Sequence, residues 1–106
     1  MQIIVNPAAA GGRLGRQWPR LERRLHDLGI RLPTVWTEAP AHATALAATA
    51  VRDGHEVVVA AGGDGTICEV LEGLQQAGGG TLAILPLGTG NDAARASRRR
   101  PAGALR

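Results

Sequence analysis

The chain alternates short apolar runs with longer stretches in which apolar residues recur every three or four positions. The runs read as strands and the stretches as helices. Gln2–Val5 is the first strand, and Asn6–Gly15 a loop rich in glycine and alanine. Gln17–Leu28 is the first helix: Trp18, Leu21, Leu25 and Leu28 share a face, Pro19 falls in its first turn, and Gly29 ends it. Arg31–Trp36 gives a second strand. Pro40–Arg52 is a second, alanine-rich helix with Leu46, Ala47, Ala50 and Val51 inward and Gly54 as its stop. Glu56–Ala61 carries the run Val57-Val58-Val59, the composition a central parallel strand needs when both faces are covered. Ile67–Gln76 is a third helix, broken by Gly78-Gly79-Gly80, and Thr81–Leu85 a fourth strand. A fourth helix starts at Asp92. This alternation predicts an α/β fold, an open parallel sheet with helices on both faces.

The length of 106 residues suits one domain. Residues 1–97 hold all the predicted elements, and 98–106 read as a basic, disordered tail or as the end left by an interrupted reading frame. No apolar run is long enough to span a bilayer, and Met1-Gln2-Ile3-Ile4-Val5 leads straight into Asn6-Pro7 without a signal peptide. The one cysteine, Cys68, forms neither an internal disulfide nor a metal cluster, which fits a reducing cytoplasm. With two tryptophans as the whole aromatic content, a base-stacking surface is absent and no nucleic-acid partner is expected. The net charge of +3 is carried by arginine, without a single lysine. A Walker-A loop needs a lysine on the β- and γ-phosphates, so that class of nucleotide enzyme is excluded. The basic surplus suits an anionic ligand, or peripheral contact with an anionic membrane such as the inner face. His26, His42 and His55 are scattered and predict no metal site.

The chemistry concentrates where strands end. Ala61-Gly62-Gly63-Asp64-Gly65-Thr66 follows the third strand and opens a helix. Glycines let a ligand approach main-chain N–H groups, and a helix N-terminus favours phosphate. Thr66 and Glu69 also match an S/T-x-x-E capping box, which is a local role for Thr66 beside any ligand role. A tight connection accounts for one or two of the glycines but leaves Asp64 without a task. A carboxylate beside phosphates serves to hold Mg²⁺ or to position a hydroxyl. After the fourth strand, Gly88-Thr89-Gly90-Asn91-Asp92-Ala93 formally matches G-x-G-x-x-A. It lacks the acidic residue about 20 positions on that a dinucleotide fingerprint wants. It reads better as a second set of donors, with helix capping as the other role for Asn91 or Asp92. Asn6-Pro7 with Gly11-Gly12 and Thr37 lie at the first two strand ends; Thr37 is equally a candidate N-cap of the second helix.

Together these loops resemble the catalytic domain of the diacylglycerol kinase family, in particular bacterial lipid kinases and sphingosine kinase relatives. Asn6-Pro7, Thr37, Gly62-Gly63-Asp64-Gly65-Thr66 and Pro86-Leu87-Gly88-Thr89-Gly90-Asn91-Asp92 carry the resemblance, from about Gln2 to Arg95. The resemblance implies a three-layer α/β/α domain of the NAD kinase and phosphofructokinase type. It implies an ATP-dependent kinase of a lipid hydroxyl such as that of diacylglycerol, with Mg²⁺ accompanying the nucleotide. On that analogy Gly62, Gly63, Gly65, Thr66 and Thr89 bind phosphate, with Gly88, Gly90 and Asn91 beside them. Asn6 and Thr37 line the nucleotide site, and Asp64 is the indispensable acidic group. Ala10, Cys68 and Ala93 stand where the family more often has glycine, asparagine and phenylalanine. The family continues into a β-rich domain that binds the lipid and supplies the general base, and no segment here matches it. The expectation is therefore an ATP-binding half that is weakly active or inactive alone, its lipid acceptor held by a separate or missing domain. A non-catalytic nucleotide-binding module and a NAD kinase relative are the alternatives.

Overall fold

The computed structural model of the chain describes residues 1–85. The elements run β1 (Gln2–Val5), α1 (Arg13–Asp27), β2 (Thr34–Trp36), α2 (His42–Arg52), β3 (Val57–Ala61), α3 (Asp64–Ala77) and β4 (Thr81–Ile84). The strands form one parallel sheet in the order β2-β1-β3-β4. Side chains alternate across it. Ile3, Val5, Val59 and Ala61 face α1, packing with Leu14 and Trp18. Ile4, Val58, Ala60 and Leu82 face α2 and α3, packing with Ala43, Ala47, Ala50, Val70 and Leu74. Helices thus cover both faces, as the alternating pattern predicts.

Boundaries shift where the backbone has a stronger signal than the apolar pattern. Helix α1 begins at Arg13, not Gln17, so Pro19 lies in its interior instead of its first turn. The loop before it winds through positive φ at Ala10, Gly11 and Gly12. Its carbonyls then receive the first helical N–H groups: Arg13 donates to Ala10, Leu14 to Ala9, and Gly15 to Pro7 at 3.0 Å. Buried Leu14 adds one turn to the apolar stripe. Helix α3 likewise begins at Asp64, not Ile67, with extended Gly63 as its N-cap. Strand β2 shortens to Thr34–Trp36 because Pro33 has no N–H for the ladder, although its carbonyl accepts Ile3 N–H at 2.9 Å. Helix α2 starts at His42 after Ala41, which sits at φ 67°.

The alanines of α2 let α3 come close. A Cβ on Gly73 would lie 2.7 Å from Ala47 Cβ, against the α2 backbone. The Thr44 hydroxyl donates to the Glu69 carbonyl at 2.9 Å, tying the pair together.

Candidate functional site

Strand β1 lies between β2 and β3. From β1 the chain crosses by α1 to β2, and from β3 it crosses by α3, on the opposite face, to β4. The carboxyl ends of β1 and β3 therefore flank a topological switch point, the place where open parallel sheets leave a crevice for ligands. Backbone bonds carry the ladder one residue into that edge: Asn6 N–H donates to Ala61 O and Thr37 N–H to Val5 O, both at 2.9 Å.

Asn6 is the hub of the crevice. Its Nδ2 donates to Thr66 Oγ1 at 3.0 Å. Its Oδ1 accepts from Thr37 Oγ1 at 3.2 Å and from Ala8 N–H at 3.1 Å. The Ala8 N–H can only donate, which fixes which end of the amide is oxygen. Thr37 and Thr66 are both buried, so without Asn6 each hydroxyl would lose this partner. Three residues singled out separately in the sequence thus form one hydrogen-bonded chain from the ends of β1 and β2 to the first turn of α3. Thr37 does not cap α2, whose N-cap is Ala41, without a side-chain cap bond.

The glycines of the third strand end divide into two kinds. A Cβ on Gly62 would meet the Thr66 side chain, its Cβ at 2.7 Å, so packing demands glycine there. Gly63 and Gly65 have open space around the position a Cβ would take, and Gly63 has φ −91°, which any residue adopts. Close packing explains Gly62 and leaves the other two unaccounted for. Their open side is the cradle a Cβ would begin to fill. Asp64, the first residue of α3, is exposed beside it.

Helix α3 has no side-chain cap, whereas the first N–H groups of α1 are spent on loop carbonyls. The head of α3 therefore offers donors and a positive dipole to an anion. The capping box expected between Thr66 and Glu69 does not form. Thr66 lies inside the first turn with its hydroxyl bonded to Asn6. Glu69 instead reaches across to α2, where Oε2 accepts Ala41 N–H at 3.2 Å. His42 accepts Glu38 N–H on Nδ1 at 2.9 Å.

Beside the hub lies a cavity of about 430 Å³, walled by Asn6–Ala8, Thr37–Pro40 and Glu69. Glu69 was not a candidate from sequence. The available signal was its position three residues after Thr66, on the same helix face. Gly88, Thr89, Gly90 and Asn91, with the predicted fourth helix and the 98–106 tail, lie outside the described residues. Among the described residues no three His, Cys, Asp or Glu side chains gather as a metal cage, and no helix is long and apolar enough to cross a membrane.

A parallel sheet with a glycine-bearing helix head at its switch point is an open α/β architecture, and ligands of such sheets bind at that edge. The family model of the diacylglycerol kinase catalytic domain matches residues 1–104. The chain belongs to that family. It is 35% identical over 96 residues to a diacylglycerol kinase of Staphylococcus saprophyticus, covering 90% of this chain and 32% of that protein. A diacylglycerol kinase of Staphylococcus aureus MRSA252 is 34% identical over 96 residues, with 90% and 30% covered. A solved structure from Bacillus anthracis str. Sterne, provisionally described as a diacylglycerol kinase, superposes with a TM-score of 0.67 at 29% identity. It covers 83% of this chain and 32% of that one. The chain spans about a third of the length of these relatives.

Proposed function

We propose that this chain forms the ATP-binding part of a lipid kinase that transfers the γ-phosphoryl group of ATP to a lipid hydroxyl such as that of diacylglycerol. The observation that carries the reading is the pairing of an uncapped α3 head, open at Gly63 and Gly65, with the Asn6 hub at the switch point. The N–H groups of residues 64–66 take the phosphates. Because the Thr66 hydroxyl is held by Asn6, Thr66 acts through its backbone. Gly62 keeps the turn tight enough to aim those donors.

Mg²⁺ fits the same place, since it is commonly bound through one or two carboxylates together with substrate phosphates and water. When bound it neutralises charge on the transferring group. Asp64, exposed at the α3 head, is the residue placed to hold it. Asn6 and Thr37 wall the neighbouring cavity and orient the nucleoside. On the family resemblance, Gly88, Thr89, Gly90 and Asn91 complete the phosphate contacts. Phosphoryl transfer also needs the acceptor held in line and water excluded. We assign those tasks to a β-rich domain such as the family's, so this chain by itself transfers phosphoryl weakly or not at all.

Calorimetric titration of the chain with Mg-ATP tests the nucleotide assignment: saturable binding that ADP displaces is expected, and no binding at millimolar ATP would overturn it. A diacylglycerol phosphorylation assay tests the division of labour. Robust turnover by this chain alone would show that the acceptor site lies within it.

A further inference from the structure

We infer that the outer edge of β2 is a self-association surface, where a second copy of this chain pairs its own β2 antiparallel across a two-fold axis. Strand β2 ends the sheet, and β1 is its one neighbour among the described residues. Pro33 C=O accepts Ile3 N–H and Thr37 N–H donates to Val5 O, so residues 33, 35 and 37 turn their main chain toward β1. Thr34 and Trp36, the residues between, turn theirs away from it. Two N–H and two C=O groups therefore stand on an open edge. Leu32, next on that side, has its C=O occupied by Thr34 Oγ1 at 3.3 Å. An open row of this kind is a template for another strand.

Trp36 makes the edge suited to contact. It is 41% exposed, yet its ring is held edge-on to buried Trp18, with 6.0 Å between centroids and 83° between planes. A tryptophan already held in place loses little freedom on burial, and tryptophans are enriched at the centres of interfaces. Exposed Ile30 extends the apolar surface. Charged side chains are a usual guard against edge pairing, and Thr34-Val35-Trp36 carries none.

Charge names the occupant. Arg31 and Glu38 are exposed at opposite ends of this segment. An antiparallel two-fold centred on Val35 sets Thr34 of each copy opposite Trp36 of the other. Both pairs then exchange main-chain hydrogen bonds, and each tryptophan covers a threonine. The same register brings Glu38 of each copy beside the Arg31-Leu32 end of the other, an opposite-charge pair at both ends. The segment is thus complementary to itself, the condition for a closed two-fold contact.

The test is sedimentation equilibrium of the full chain over a concentration series, for wild type, Arg31→Glu, Glu38→Arg and the double variant. Wild type is expected to dimerise. Each single reversal sets like charges together at both ends and should raise the dissociation constant about tenfold. The double variant restores opposite charges and should return to within about threefold of wild type. Single reversals that leave the dimer unchanged overturn the inference by placing the contact elsewhere. A double variant as weak as the single ones also overturns it. Wild type that stays monomeric at millimolar concentration overturns it outright. Flotation of that monomer with phosphatidylglycerol vesicles, lost in Trp36→Ala, would assign the patch to a lipid surface instead.

Discussion

Asn6 Nδ2 and Thr66 Oγ1 meet at 3.0 Å across 60 positions of sequence, joining the end of β1 to the first turn of α3. The bond holds the two sides of the switch point at a fixed separation, so the hub is a structural part as well as a wall of the site. Asn6→Ala removes the acceptor for Thr37 and Ala8 and the donor for Thr66, and leaves two buried hydroxyls short of a partner. We predict a loss of about 2–3 kcal/mol in urea unfolding, together with weaker Mg-ATP binding. A variant as stable as wild type would show that the hydroxyls find other partners.

The glycines of the third strand end separate packing from ligand approach. Gly62→Ala drives a methyl into Thr66 and is predicted to destabilise by about 1–3 kcal/mol, the usual cost of overpacking. Gly63→Ala and Gly65→Ala meet open space and are predicted to leave the thermal midpoint unchanged or slightly raised. Both are expected to weaken ATP, because the methyl stands where the phosphates approach. Calorimetry and thermal unfolding on the three variants read the two effects apart. Equal ATP affinity for Gly63→Ala and wild type would remove that loop from the phosphate site.

Asp64 is exposed at the first position of α3, where a negative charge also favours the helix dipole. Asp64→Asn is predicted to cost less than about 1 kcal/mol of stability, the size of that dipole term. Its larger effect is on metal. Wild type should bind ATP more tightly when Mg²⁺ is added, and the variant should lose most of that gain. ATP titrations with Mg²⁺ and with EDTA measure it; an undiminished magnesium gain would place the ion on other ligands.

The layers of the fold were legible because the strand runs are short and the helices amphipathic. Gln2–Val5 falls where the apolar run places it, and the odd and even residues of β1 and β3 sort to opposite helices. The positions of the hub residues were legible too, since Asn6 and Thr37 directly follow β1 and β2, and Thr66 lies in the first turn of the helix after β3. Their hydrogen-bonded linkage was not. It depends on β1 lying between β2 and β3, a sheet order that no local pattern encodes. The local reading of Thr66 and Glu69 as a capping box failed because Gly63 starts the helix earlier, freeing both side chains for partners on other elements.

Gly73 carries no motif, yet the α2–α3 contact depends on it. It is buried where α3 presses on the Thr44 carbonyl and Ala47. In an open helix, Gly→Ala gains about 1 kcal/mol of propensity. Here the added methyl would sit 2.7 Å from Ala47 Cβ, so the helices must part. Gly73→Ala is predicted to lower stability by about 1–3 kcal/mol net, read by urea unfolding. Since Glu69 reaches Ala41 across the same interface, the variant should also weaken ATP.

Pro19 supplies the opposite case, a residue whose removal should help. It sits inside α1 with its side chain exposed, and lacks the N–H that would donate to the Gly15 carbonyl four residues back. The apolar stripe of Leu14 and Trp18 holds the helix on the sheet despite that gap. Pro19→Ala restores the donor without touching the core, and alanine is the best helix former. The predicted gain is about 1–3 kcal/mol, seen as a higher thermal midpoint, with Mg-ATP affinity unchanged because α1 offers the site no free N–H groups. A lower midpoint would mean that the proline stiffens the unfolded chain by more than it costs the helix. A change in ATP affinity would mean that the Asn6–Gly12 loop responds to strain along α1.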